Sequence, residues 1–141
     1  MSLQLQSLDK AIKALERSLV LADGLFKDIK IDPDLHETVR AGVIQHFEVA
    51  FELSWKYIQR WIRENKTPED ADNPRTRKDL FRLAARYNLI ANPSAWFDYG
   101  DARNLTSHVY EESKAEIVYK IAKIFLNDAK YLLTQLEKSS D

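Results

Sequence analysis

Asp32-Pro33-Asp34-Leu35-His36-Glu37-Thr38-Val39-Arg40-Ala41-Gly42-Val43-Ile44-Gln45-His46-Phe47-Glu48-Val49-Ala50-Phe51-Glu52-Leu53-Ser54-Trp55-Lys56-Tyr57-Ile58-Gln59-Arg60-Trp61-Ile62-Arg63-Glu64 is the stretch that decides the fold. Asp32 can cap a helix that opens on Pro33, because proline has no N–H to leave unpaired there and its φ is already helical. Apolar residues then recur at helical spacing on two stripes. One holds Val39, Val43, Phe47, Ala50, Tyr57 and Trp61; the other holds Ile44, Phe51, Trp55, Ile58 and Ile62. A helix apolar over so wide an arc is central to a bundle or half buried in a partner, and this one fits both descriptions.

The flanking segments are helical too. Leu5, Leu8, Ile12, Leu15, Leu19, Ala22 and Phe26 alternate at three and four, which predicts a first helix from Leu3 to Lys27. Ile29-Lys30-Ile31 connects it to the second. Asn65 to Arg77 breaks the pattern, with Thr67-Pro68 and Asn73-Pro74 as turn or helix-start signals. A shorter helix over Arg75–Tyr87 buries Leu80, Phe81, Ala84 and Tyr87, and Asn88 stops it. Asn92-Pro93 opens another, which carries Trp96 and Phe97 towards a polar stretch. Ser113 with Glu116 reads as a capping box for a last helix that reaches Leu136, after which Lys138-Ser139-Ser140-Asp141 should fray. No strand-like alternation and no repeat occurs. The chain reads as one all-α domain over residues 1–141, an antiparallel up-and-down bundle with a four-helix core and a short extra helix.

Composition narrows the function classes. The chain of 141 residues is 45% hydrophobic and 11% aromatic, enough for a packed core. Its 21 basic and 22 acidic residues leave a net charge of −1, unlike the basic excess of a duplex-DNA binder, though a local RNA contact is compatible with it. There is no cysteine, which removes disulfides, thiolate zinc sites and thiol nucleophiles and fits the cytoplasm. Met1-Ser2-Leu3-Gln4-Leu5-Gln6 has neither the basic start nor the apolar run of a secretory leader. No segment approaches the ~20 apolar residues that span a bilayer.

The chemistry gathers in Asp101-Ala102-Arg103-Asn104-Leu105-Thr106-Ser107-His108-Val109-Tyr110. Arg103 is a permanent planar cation suited to phosphate. His108 can move a proton near pH 7. Together they suffice for RNA cleavage without a metal: one activates a ribose 2′-OH or protonates the leaving oxygen, and the other stabilises the phosphorane. On one continuous helix the two would stand about 140° apart. Convergence therefore requires the helix to end or distort near Ser107, or a second protomer to supply the other half. The structural reading is that Arg103 pairs with Asp101 or Glu111 and His108 finishes a helix.

Arg103-Asn104-x-x-x-His108-x-Tyr110 resembles the R-N-x-x-x-H-x-Y form of the motif of the HEPN superfamily, the higher eukaryote and prokaryote nucleotide-binding domains. Val43 to Lys56 resembles the "IQxFExxFELxWK" segment of that superfamily's nucleotidyltransferase substrate-binding proteins, and Thr106 to Glu112 resembles their "TSHxYxE" run. The resemblance extends from the first helix to the last. It implies a helical bundle that forms a homodimer, with the Arg-His pairs meeting at the interface. It implies a partner, a minimal nucleotidyltransferase (MNT), in a toxin–antitoxin pair whose HEPN member is a ribonuclease. In some pairs the transferase adds AMP to the motif tyrosine, here Tyr110. Arg103 and His108 are then the catalytic residues, with Asn104 and Asp101 supporting them and RNA as the substrate.

Other residues carry weaker signals. Glu48, Glu52 and Lys56 follow at i, i+4 and i+8, which is a solvated ion-pair ladder or, with Trp55, a face for the partner. His36 and His46 lack a ligand at matching helical spacing, so no metal and no cofactor is expected. Trp55, Trp61 and Trp96 read as core more readily than as stacking platforms. Arg75, Arg77, Lys78, Arg82 and Arg86 form the basic cluster, either a solvated face or a guide for RNA. Two further function classes stay open: a non-catalytic subunit that presents substrate or nucleotide to the transferase, and a helical interaction protein whose motif is a structural polar network.

Overall fold

The computed structural model describes residues 4–139. Six helices follow in order: α1 (Gln6–Phe26), α2 (Pro33–Asn65), α3 (Pro68–Asp72), α4 (Arg77–Arg86), α5 (Pro93–Leu105) and α6 (Glu112–Ser139), with a 3₁₀ turn at Thr106–His108 between the last two. No strand occurs among the described residues. The predicted start at Leu3 and the last two residues of the predicted fray lie outside them. Lys138 is helical and Ser139 ends α6, so this part of the tail does not fray: Ser139's carbonyl accepts the Trp61 indole N–H at 3.1 Å.

Caps set the boundaries where they were expected. Asp32 accepts the Leu35 N–H at 3.3 Å, Thr67 accepts that of Asp70 at 3.0 Å, and Asn92 accepts that of Ser94 at 3.1 Å; each is followed by proline. Asn73-Pro74 behaves differently. Asn73 closes α3, and α4 starts at Arg77, because Thr76 takes the Asp79 N–H at 3.1 Å and so outcompetes the proline as a start. Ser113 is also not a cap: α6 begins one residue earlier, placing Ser113 inside its first turn. At Asn88 the backbone turns left-handed with φ 62°, Asn88 N–H bonding Ala85 and Leu89 N–H bonding Ala84. That is a Schellman stop, and Leu89 is buried directly behind it.

The core follows the two stripes of α2. Both are buried apart from the half-buried Val39 and Trp55, since α2 touches every other helix. Its 33 residues make a rod about 50 Å long around which the others are arranged. Phe47 and Phe51 meet Phe125 of α6 edge-on, and Trp96 and Tyr99 of α5 complete the aromatic cluster. The buried Tyr99 hydroxyl is satisfied by donating to Asp128. α1, α2, α5 and α6 alternate in direction, while α3 and α4 fill the long connection between α2 and α5. On the diagonal, α2 and α6 run parallel: Arg40 pairs with Glu112 at one end and Trp61 with Ser139 at the other. The expected up-and-down bundle is thus present. The width of α2's apolar arc is used up within the chain by α3, α4 and α5, so it is not a reason to expect a partner.

Candidate functional site

The polar stretch begins on the last turns of α5. Arg103 faces α2, where its Nε donates to Glu52 Oε1 at 3.1 Å and its Nη1 lies 3.7 Å from Glu48 Oε2. Asp101, two residues away, stands on a different side of the helix, so the carboxylates that match Arg103 come from another element instead. Thr106 fixes the other side of the guanidinium: its Oγ1 accepts from Arg103 Nη1 at 2.8 Å and donates to the Arg103 carbonyl at 2.7 Å. Thr106 opens the run that resembles "TSHxYxE", but it carries no expected role of its own. A hydroxyl three residues past an arginine, where a helix was expected to end, was the available signal.

Glu52 is the centre of this arrangement. Its Oε1 also lies 3.6 Å from Arg77 of α4, and its Oε2 accepts the Trp55 indole N–H at 3.0 Å. Arg77 in turn stacks over Trp55, 4.6 Å from the ring centre. Glu48 and Glu52 therefore turn inward, half-buried, rather than forming a ladder with Lys56, whose Nζ stands 5.7 Å over the Trp55 ring. Two carboxylates and two guanidiniums make a local charge balance near zero.

The helix distorts where convergence required it. α5 stops at Leu105 and three residues of 3₁₀ turn carry His108 out of line. The His108 side chain is half exposed, with Nδ1 3.9 Å from Glu111 Oε2. Lys114 donates to the same Glu111 oxygen at 2.8 Å and holds that carboxyl below the usual glutamate range. Tyr110 is 78% exposed, its ring 6.2 Å from that of His108. Among the described residues no contact joins Arg103 to His108. Imidazole and phenol share one exposed turn, while the guanidinium is tied to α2.

Asp101 and Asn104 point elsewhere. With Thr76, Arg77, Lys78, Phe81, Trp96, Phe97 and Gly100 they line a cleft of about 280 Å³ between α4 and α5. Arg82 belongs to the basic cluster yet stands over Phe97, 5.0 Å from its ring centre. Trp61 and Trp96 are buried and Trp55 half-buried. His36 stacks on Phe26 with ring centres 4.0 Å apart, and the buried His46 Nδ1 has no protein partner. Among the described residues no group of His, Asp and Glu is arranged to hold a metal ion, and no helix is long and apolar enough to cross a membrane.

Comparison with known proteins places this geometry. The chain is 37% identical over 138 residues to a Haemophilus influenzae protein named "Probable ribonuclease HepT", covering 96% of this chain and 93% of that one. A solved Haemophilus influenzae structure, described as revealing the fold of a substrate binding domain of a nucleotidyltransferase, superposes with a TM-score of 0.87 at 35% identity, over 95% of this chain and 99% of the other. A Thermus thermophilus structure superposes at 0.64 and 26% identity, over 86% and 98%. Residues 3–138 match the family described as nucleotidyltransferase substrate binding protein like. Sharing both its frame and nearly its whole length with these proteins, the chain belongs to that family.

Proposed function

We propose that this chain is a metal-independent endoribonuclease of toxin type, acting in the cytoplasm as a homodimer and controlled by a cognate minimal nucleotidyltransferase. The observation that carries the reading is the placement of the motif. A guanidinium is anchored at the end of α5, and three residues later a 3₁₀ turn begins that presents the His108 imidazole to solvent, with the Tyr110 phenol on the turn that follows it. Arg103 binds the scissile phosphate and stabilises the charge of the phosphorane. His108 moves the proton between the attacking 2′-OH and the leaving oxygen. The two act across the two-fold axis, where one protomer's Arg103 meets the other's His108. The ribonuclease name of the Haemophilus influenzae relative supports this chemistry.

Tyr110 is the regulatory position. Its exposure lets a transferase reach the phenol, and AMP attached there would set a bulky anion beside His108, in the path of the RNA backbone. The transferase would meet α2 at the exposed Lys56 and at the parts of Glu48, Glu52 and Trp55 that their contacts with Arg103 and Arg77 leave uncovered. The test is cleavage of total RNA or tRNA by the purified protein in EDTA, with His108→Ala beside it. Cleavage by the wild type and none by the variant, both dimeric, is the expected result.

One observation favours a second reading. Glu48 and Glu52 already match the charge of Arg103, as a positioning network in a non-catalytic substrate-presenting subunit would. If neither protein cuts RNA after removal of any attached AMP, the presenting-subunit reading replaces the nuclease.

A further inference from the structure

We infer that the cleft between α4 and α5 is a nucleobase subsite that seats one unpaired base beside the phosphate held by Arg103, with guanine preferred and uracil disfavoured. That the base belongs to RNA rests on the nuclease reading; that a base sits there rests on the cleft itself.

Its size comes first. At about 280 Å³ it falls just under the roughly 300–1,000 Å³ of sites for drug-sized ligands, so it takes one flat ring and not a base pair. Its apolar lining is the half-buried Phe97, a ring on which a splayed-out base can stack, together with Phe81 and Trp96, which are buried in the core and only close the cleft. Its mouth carries Arg77 and Lys78, cations for the flanking phosphates. It adjoins the motif directly, because Arg77 and Arg103 approach the same oxygen of Glu52, at 3.6 and 3.1 Å.

The polar wall supplies the choice of base. Asp101 and Asn104 are i and i+3 on α5, so they share a face. Both side chains are exposed, and among the described residues neither makes a hydrogen bond or ion pair. An ionised carboxylate only accepts, whereas an amide both donates and accepts. Guanine offers two adjacent donors, N1–H and the N2 amino group, with the O6 acceptor next to them. Asp101 takes the donor pair and the Asn104 amide gives to O6. Uracil sets its single N–H between two carbonyls, which face the carboxylate with like partial charge. The roughly 330 Å³ cleft that also involves α4 lacks these features: Asp70 and Asp79 balance Arg82 and Arg86, and no aromatic ring forms its floor.

The experiment titrates ¹⁵N-labelled full-length protein with GMP, UMP and ribose 5-phosphate, for wild type and Asp101→Asn. GMP should shift the amides of residues 76–78 and 100–104 saturably, UMP should do so more weakly, and ribose 5-phosphate least. Asp101→Asn should reduce the preference for GMP over UMP by about tenfold while leaving the rest of the spectrum unchanged. Equal shifts from all three probes, shifts confined to other residues, no saturable shift, or a preference untouched in Asp101→Asn overturns the subsite. Mapping of RNA cut sites separates this from the nuclease reading. Cutting with no base preference beside the cut, unchanged in Asp101→Asn, removes the subsite and leaves the nuclease. Saturable GMP binding in the cleft with no RNA cut leaves the subsite and removes the nuclease.

Discussion

At the scale of single residues, Glu52 governs what Arg103 can do. One carboxylate orients two guanidiniums and an indole, and with Glu48 it leaves the Arg103 site close to neutral. Glu52→Gln keeps the shape and a hydrogen-bonding oxygen while removing one negative charge. On the nuclease reading, a His108→Ala background would let RNA bind without being cut, and there Glu52→Gln should tighten RNA binding about three- to fivefold at low salt, the size expected of a half-exposed ion pair. Fluorescence anisotropy with a labelled oligonucleotide measures it. Unchanged affinity would mean that Arg103 and Arg77 do not face the RNA.

At the scale of elements, the start of α6 is clamped to α2. The Arg40 side chain is nearly fully buried, donating to both oxygens of Glu112 at 2.6 and 2.7 Å and to Glu116 at 3.4 Å. Because Glu112 stands at the surface, the clamp seals α6 next to the turn that carries His108 and Tyr110. Its hydrogen bond to Arg40 lowers the Glu112 pKa, so the pair stabilises the fold above the ordinary carboxylate pKa of about 4.3, and that contribution is lost as pH falls through the lowered folded value. Thermal melts should show Glu112→Gln less stable than wild type at pH 7, with the gap narrowing as the pH falls below the ordinary carboxylate value of about 4.3. A gap that stays constant with pH would place the clamp's contribution elsewhere. The same scale separates what the sequence makes legible from what it does not. Asp32-Pro33, Thr67-Pro68 and Asn92-Pro93 act through neighbours three residues away or fewer, so they can be read directly. Arg40 with Glu112 and Arg103 with Glu52 are joined over 72 and 51 residues, and no local pattern announces them. Ser113 misled because an earlier start at Glu112 lay one residue away, whereas Asn73-Pro74, readable as turn or helix start, opens no helix because Thr76 supplies the competing cap. The motif could be read as a set of residue types. Its division, with Arg103 tied to α2 and His108 on an exposed turn, required the fold.

For the whole molecule, a net charge of −1 means that RNA is not drawn to the surface at large. On the nuclease reading, binding has to come from a few neighbouring cations: Arg103, with Arg77 and Lys78 of the adjoining cleft. Three phosphate contacts to a single strand correspond to a slope of about −2 in log affinity against log salt. Anisotropy titrations of His108→Ala protein over a range of salt concentrations should give that slope, and a value of about −5 or steeper would spread the RNA over a much larger area. The carboxylates resident on Arg103 have a consequence for selectivity. The site works like a charged resin bead with its counterions already in place, and a newcomer enters only by exchange. A lone phosphate or a free carboxylate gains little by replacing Glu52, whereas a strand that offers several phosphates at once displaces the resident and keeps its other contacts. The cell's abundant small anions would then leave Arg103 open to polymers.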